Sequence, residues 1–146
     1  KSKLLDNQKN IGVFYFLSAD CPCSKGYFEY LNSLKTKYPE FDFMGFHSSR
    51  SIKRAKSLKY FAKFNIDFPI LDDKSLDYAN KFEATKTPHV FVLNNKGETL
   101  YHGGVTNSRM MNSAKKFYLE EVLKDLKNNK KPRHSYARAL GCRIVR

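Results

Sequence analysis

Two hydrophobic periodicities alternate along this chain. Short, nearly continuous apolar runs are followed by longer stretches in which apolar residues return every three or four positions. Residues 11–17, Ile-Gly-Val-Phe-Tyr-Phe-Leu, read as a buried strand with polar residues on both sides. The turn Ser18-Ala-Asp-Cys-Pro-Cys-Ser24 opens a helix in which Tyr27, Leu31, Leu34 and Tyr38 make one apolar face, and Pro39 ends it. Asp20 or Cys21 takes the cap region, and Pro22 suits the first helical position because that N–H needs no partner.

Residues 41–47 predict a second strand. Ser49 can cap a helix through about Phe64, basic outside, with Ile52, Ala55, Ala62 and aromatics inside. Residues 68–71 form a short extended piece, and Asp72 or Asp73 starts a brief helix holding Leu76, Ala79 and Phe82. Thr87-Pro88 leads into a strand over 90–93, closed by the turn Asn94-Asn-Lys-Gly97 with a hairpin partner over 98–102. Asn112 or Ser113 caps a last helix carrying Ala114, Tyr118, Val122 and Leu126 four apart. Residues 128–146 are basic, hold Pro132 and Gly141, and lack periodicity, so they read as a flexible tail. The order β–α–β–α–(α)–β–β–α predicts an α/β sandwich: a central mixed sheet with helices on both faces. It divides the chain into a domain over 1–127 and a basic C-terminal tail over 128–146 carrying Cys142.

Composition narrows the class. The 146 residues fit one domain, and 12 Phe with 9 Tyr give enough bulk for a real core. The longest apolar run has seven residues, too few to span a bilayer. The net charge of +13 would suit an anionic partner. The basic residues are nevertheless spread from Lys1, Lys3 and Lys9 through Lys53, Arg54, Lys56 and Lys59 to Lys115 and Lys116. No zinc finger or RNP-like aromatic strand accompanies them, so a solvated Lys-rich surface is expected and no specific nucleic-acid partner. Three cysteines are too few for a disulfide-stapled scaffold.

The strand leading into Phe16-Leu-Ser-Ala-Asp-Cys-Pro-Cys-Ser24, followed far along by Thr85-Lys-Thr-Pro-His-Val-Phe-Val-Leu93 and its hairpin, resembles the thioredoxin fold. More narrowly the chain is similar to the thioredoxin-like redoxins of the alkyl hydroperoxide reductase/thiol-specific antioxidant superfamily, over about residues 11–126. The ending Gly141-Cys-Arg-Ile144 matches a tail common in that group. The resemblance implies a thiol–disulfide oxidoreductase without a cofactor, acting on protein or small-molecule disulfides and thiols together with a thiol electron donor. It also implies an extracytoplasmic, periplasmic location, to which the Met-less start is the one residue-level pointer.

The residues support the chemistry on their own terms. Cys21 sits at a helix start, where unpaired N–H groups stabilise a thiolate, and Lys25 adds positive charge one turn on. The family's second cysteine would stand where this chain has Ser24. Cys23, two residues after Cys21, points away from it on a helix, and a bridge between them would strain the turn. A redox role for Cys23 and a packed, inert thiol therefore both stay open. Cys142 is within chain reach of Cys21 and is expected to fold back and resolve it, against the alternative of a free thiol on a loose terminus. By the resemblance, Pro88 is the cis-proline beside the active cysteine, and Thr87 offers backbone hydrogen bonds to an incoming chain.

Two other functions are carried along. A peroxiredoxin-like peroxidase would need Pro-x-x-x-Thr-x-x-Cys and an Arg near the hairpin strand. Ser18 can replace the Thr, but Phe14 stands for the Pro and Pro88 for the Arg. A Cu(I) or zinc site could use Cys21, Cys23 and His89, as the copper-delivery relatives of the fold use a Cys pair and one His. His47 and His102 read as ordinary polar residues at a strand end and in the hairpin, and His134 lies in the tail.

Overall fold

The computed structural model describes residues 10–146; the expectations for Lys1, Lys3 and Lys9 lie outside them. Among the described residues there are eight strands: β1 (Gly12–Leu17), β2 (Asp42–His47), β3 (Ile70–Asp72), β4 (Lys86–Thr87), β5 (His89–Leu93), β6 (Thr99–Gly103), β7 (Tyr136–Ala137) and β8 (Cys142–Arg143). The described residues also form five α-helices: α1 (Pro22–Lys25), α2 (Phe28–Lys37), α3 (Arg54–Lys63), α4 (Asp77–Phe82) and α5 (Tyr118–Lys127). The main sheet runs β3-β2-β1-β5-β6-β7, and β4 pairs with β8 in a small second sheet. β1, β2 and β3 are mutually parallel, whereas β5 is antiparallel to β1 and β6, so the main sheet is mixed.

Side-chain alternation sorts the strands between two cores. Ile11, Val13, Tyr15 and Leu17, with Phe43, Val90 and Val92, face the larger cluster. Against it pack Phe28, Leu31 and Leu34 of α2, Phe61 of α3, and Leu119, Val122, Leu123 and Leu126 of α5. Phe16, Phe46 and Phe91 face the other way and meet Leu76 and Ala79 of the α4 region. Ile144, from the C-terminal stretch, completes this second core. Both faces of a near-continuous apolar strand are thus covered, which is why β1 shows no polar alternation.

Several boundaries differ from the sequence reading for local reasons. The helix expected from Pro22 to Tyr38 is broken at Gly26–Tyr27, where buried Tyr27 turns its hydroxyl to Thr106 and to the Ser108 carbonyl at 2.6 Å. The helix expected from Ser49 begins at Arg54, and the last helix begins at Tyr118 rather than beside Asn112, with a 3₁₀ turn over Met111–Ser113 before it. Asp73 does organise α4, accepting from the N–H groups of Tyr78 and Ala79 at 3.1 and 3.0 Å.

The largest difference concerns residues 128–146, which are ordered rather than loose. Arg133 grips the Asp125 carboxylate of α5 through Nε and Nη2 at 3.0 and 2.8 Å, and this pairing holds that carboxyl below its usual range. β7 then adds to the sheet edge parallel to β6. Its approach needs Gly103, where a Cβ would collide with the Ala137 carbonyl. Beyond it, β8 pairs antiparallel with β4, Lys86 opposite Arg143 and Thr87 opposite Cys142. Here Gly141 serves the same purpose, since a side chain would strike the Thr87 carbonyl. The guanidinium of Arg146 fastens the end to the Ala79 and Ala84 carbonyls and to Asn80. The segment is a strap across the end of the molecule.

Candidate active site

The site is assembled where β1 gives way to α1. Cys21 is the N-cap of α1, with Pro22 at the first helical position, as the turn chemistry requires. The Ser24 N–H donates to Cys21 Sγ at 3.3 Å, one of the helix-start donors that a thiolate would use. Ser24 itself is fully buried and its hydroxyl accepts from the Ser18 N–H at 3.2 Å, closing the turn from the inside. Lys25 contributes less than its sequence position implied, because its ammonium sits over the Phe64 ring at 5.5 Å.

The Thr87–Pro88 peptide is cis and lies against this turn. Cys21 Sγ is 3.3 Å from the Thr87 carbonyl oxygen. The strap brings Cys142 to the same point, directly opposite Thr87 in the β4–β8 pairing, and Cys21 and Cys142 form a disulfide with Cα atoms 5.9 Å apart. Cys23 is a free, buried thiol. The three sulfurs nevertheless lie within 4.8 Å of one another. Of the five residues singled out from sequence, Cys21, Cys142 and Thr87 are in direct contact, Pro88 follows Thr87 through the cis peptide, and Cys23 Sγ lies within 4.8 Å of both bridge sulfurs.

His89 does not join them. Its Nδ1 accepts from the Thr85 N–H at 3.2 Å and its Nε2 faces His102 Nδ1 at 3.4 Å, stacked beside Phe91. Burial, reinforced by His102, brings its pKa down to about 4. The group of soft ligands is therefore Cys21, Cys23 and Cys142, not the pair plus His89. His134 is occupied elsewhere, against Glu121 at 2.7 Å.

A cleft of about 390 Å³ opens over the bridge. Ser18, Asp20, Ser48 and Ser49 form one side, and Arg50, Arg143 and Arg146 contribute its basic residues. Ser48 is fixed by its hydroxyl on the Asp73 carboxylate at 2.6 Å. These arginines were not singled out from sequence. The one available signal was the alternation in Cys142-Arg-Ile-Val-Arg146, where Ile144 turns into the second core while Arg143 and Val145 are exposed.

The sequence model of the thioredoxin-like family matches residues 9–99, and the chain belongs to that family. No curated protein matches the sequence significantly. Among solved structures, a hypothetical protein from Sinorhizobium meliloti superposes with TM-score 0.83 at 19% identity, covering 94% of this chain and 80% of that one. An uncharacterised conserved protein from Geobacillus kaustophilus also gives 0.83, at 21% identity and with 98% and 81% covered. A secreted disulfide oxidoreductase from Mycobacterium tuberculosis gives 0.56 at 17% identity, with 65% of this chain and 69% of that one covered. At such identities the likeness is one of fold. Coverage of 94% and 98% carries the first two alignments past α5 into the strap.

Among the described residues no helix is long and apolar enough to cross a membrane.

Proposed function

We propose that this protein is a thiol–disulfide oxidoreductase in which Cys21 is the nucleophile and Cys142 the resolving thiol. The observation that carries the reading is the Cys21–Cys142 bridge at a helix N-cap, held against the Thr87 carbonyl and the cis-proline. In the reduced chain, the Cys21 thiolate attacks one sulfur of a substrate disulfide. A mixed disulfide forms and one substrate thiolate leaves. The Cys142 thiolate then attacks Cys21 Sγ, closing the bridge and releasing the second substrate thiolate. Two electrons have passed from protein to substrate, and a dithiol donor returns them by the reverse exchange.

The surrounding groups have definable parts. The Ser24 N–H stabilises the Cys21 thiolate when it leaves or attacks. The backbone of Thr87 pairs with the strap in the bridged state, and the same edge serves a substrate strand when the strap yields it. Arg50, Arg143 and Arg146 favour substrates with acidic residues beside the disulfide. We place the working protein outside the cytoplasm, where oxidised thiols persist; the secreted oxidoreductase of similar fold supports that location.

The test is insulin or small-disulfide reduction driven by a dithiol, with Cys21→Ser as control. Loss of turnover in Cys21→Ser, with a trapped mixed disulfide in Cys142→Ser, is the expected result. Full activity of Cys21→Ser would overturn the assignment.

A further inference from the structure

Cys23 has no step in the exchange above, yet its thiol stands beside both sulfurs that do. The three Sγ atoms lie within 4.8 Å of one another, and no other group of three His, Cys, Asp or Glu side chains among the described residues is close enough to share an ion. We propose that the reduced protein holds one monovalent copper ion in a trigonal site made by Cys21, Cys23 and Cys142. This rests on the reading that a dithiol opens the bridge.

The ligand set selects the ion. Three sulfurs without imidazole or carboxylate suit a soft, low-coordinate cation, whereas zinc prefers a fourth ligand. Thiolate bonds of about 2.3 Å in a trigonal plane separate the sulfurs by about 4.0 Å; Cys21 and Cys142, bonded to each other in the bridge, part to that distance once it is reduced, and Cys23 Sγ already lies within 4.8 Å of both. Burial points the same way. Cys21 and Cys23 are 2% and 8% exposed, so bare thiolates there are poorly solvated and a bound cation relieves them.

The site does not depend on the disulfide for its assembly. With the bridge open and no substrate strand on the β4 edge, Cys142 stays opposite Thr87 through the β4–β8 pairing, the Ile144 N–H bond to the Thr85 carbonyl at 2.9 Å and the buried Ile144 side chain. Arg146 anchors the end beyond. The chemistry balances simply. A dithiol is oxidised to its disulfide as the bridge becomes two thiols, and Cu(I) then displaces three protons from three thiols without changing oxidation state.

The test uses the full chain, reduced with dithiothreitol and desalted without oxygen. Its thiols are counted, and it is then titrated with Cu(I) against the chromophoric chelator bicinchoninate. The expected result is three thiols, one copper per chain, and an X-ray absorption shell of three sulfurs with no nitrogen. The bridged chain and Cys23→Ser should each bind about 100-fold more weakly or worse. Wild-type affinity in Cys23→Ser, a two-sulfur or nitrogen-containing shell, or preference for zinc over copper would overturn the site. If Cys23→Ser does not fold, the wild-type shell decides. Fewer than three thiols after reduction would mean that the bridge resists the dithiol, which fells the oxidoreductase reading and this site with it. Three thiols without copper binding fells the site alone.

Discussion

The two segments that meet at the disulfide are built by opposite means. The turn over residues 18–25 is made locally: Pro22, the Cys21 cap and the buried Ser24 hydroxyl settle its shape within eight residues. The strap over residues 136–146 has almost no local structure. Its two short strands exist because β6 and β4 offer pairing edges and because Ile144 finds a core made by residues far away in sequence. A nucleophile needs a stiff frame at its own helix start, whereas a resolving thiol needs a carrier that can be held and released. The asymmetry of construction therefore matches the asymmetry of roles.

The sharpest way to break the comparison is to delete each sulfur in turn. Cys21→Ser should lower dithiol-driven disulfide reduction by about 10³-fold or more, because a neutral hydroxyl does not replace a thiolate. Cys142→Ser should instead accumulate a mixed disulfide, visible by mass on a non-reducing gel. Equal behaviour of the two variants would erase the distinction between frame and carrier.

Stability comes next. The bridge closes a loop with a sequence separation of 121, and opening it should cost about 4 kcal/mol in the unfolding free energy measured with urea. Ile144→Ala should cost about 3 kcal/mol by emptying a place in the second core, with the strap exchanging its amide hydrogens sooner than α1. If the turn loosened first, the strap would not be the conditional element.

A smaller effect is written in His89. Its pKa is brought down to about 4 in the fold, below the ordinary 6.5, so the unfolded chain binds the proton more readily. Stability from this group is therefore complete above about pH 6.5 and drains away as pH falls toward 4. His89→Gln should flatten that part of the denaturation profile. The smallest expected effect is Arg143→Glu in the cleft, a rise of about threefold in KM for an acidic disulfide peptide that vanishes at high salt.

The same contrast explains what could be read from the chain itself. β1, its turn, and Pro88 carry their information in adjacent residues, so the thioredoxin-like fold and Cys21 were legible. The proximity of Cys142 was argued from chain reach and from the want of a better resolving thiol, with Ser24 unable to serve and Cys23 pointing away, and nothing in the basic run announced the Gly103 and Gly141 clearances that let the strap lie down. His89 misled as a ligand because its partners, Thr85 and His102, are set by the hairpin register rather than by local spacing. The break at Gly26–Tyr27 was hidden for a like reason: an unbroken apolar period does not record that Tyr27 must reach Thr106.

In the proposed exchange, the bridge that joins the local turn to the long-range strap opens under a dithiol. Peptide mapping of the full chain, alkylated before and after dithiothreitol, tests it directly. The expected map links Cys21 to Cys142 with Cys23 alkylated, and after reduction all three cysteines are alkylated. A Cys21–Cys23 link with Cys142 freely alkylated, or a Cys21–Cys142 link that survives the dithiol, would contradict it.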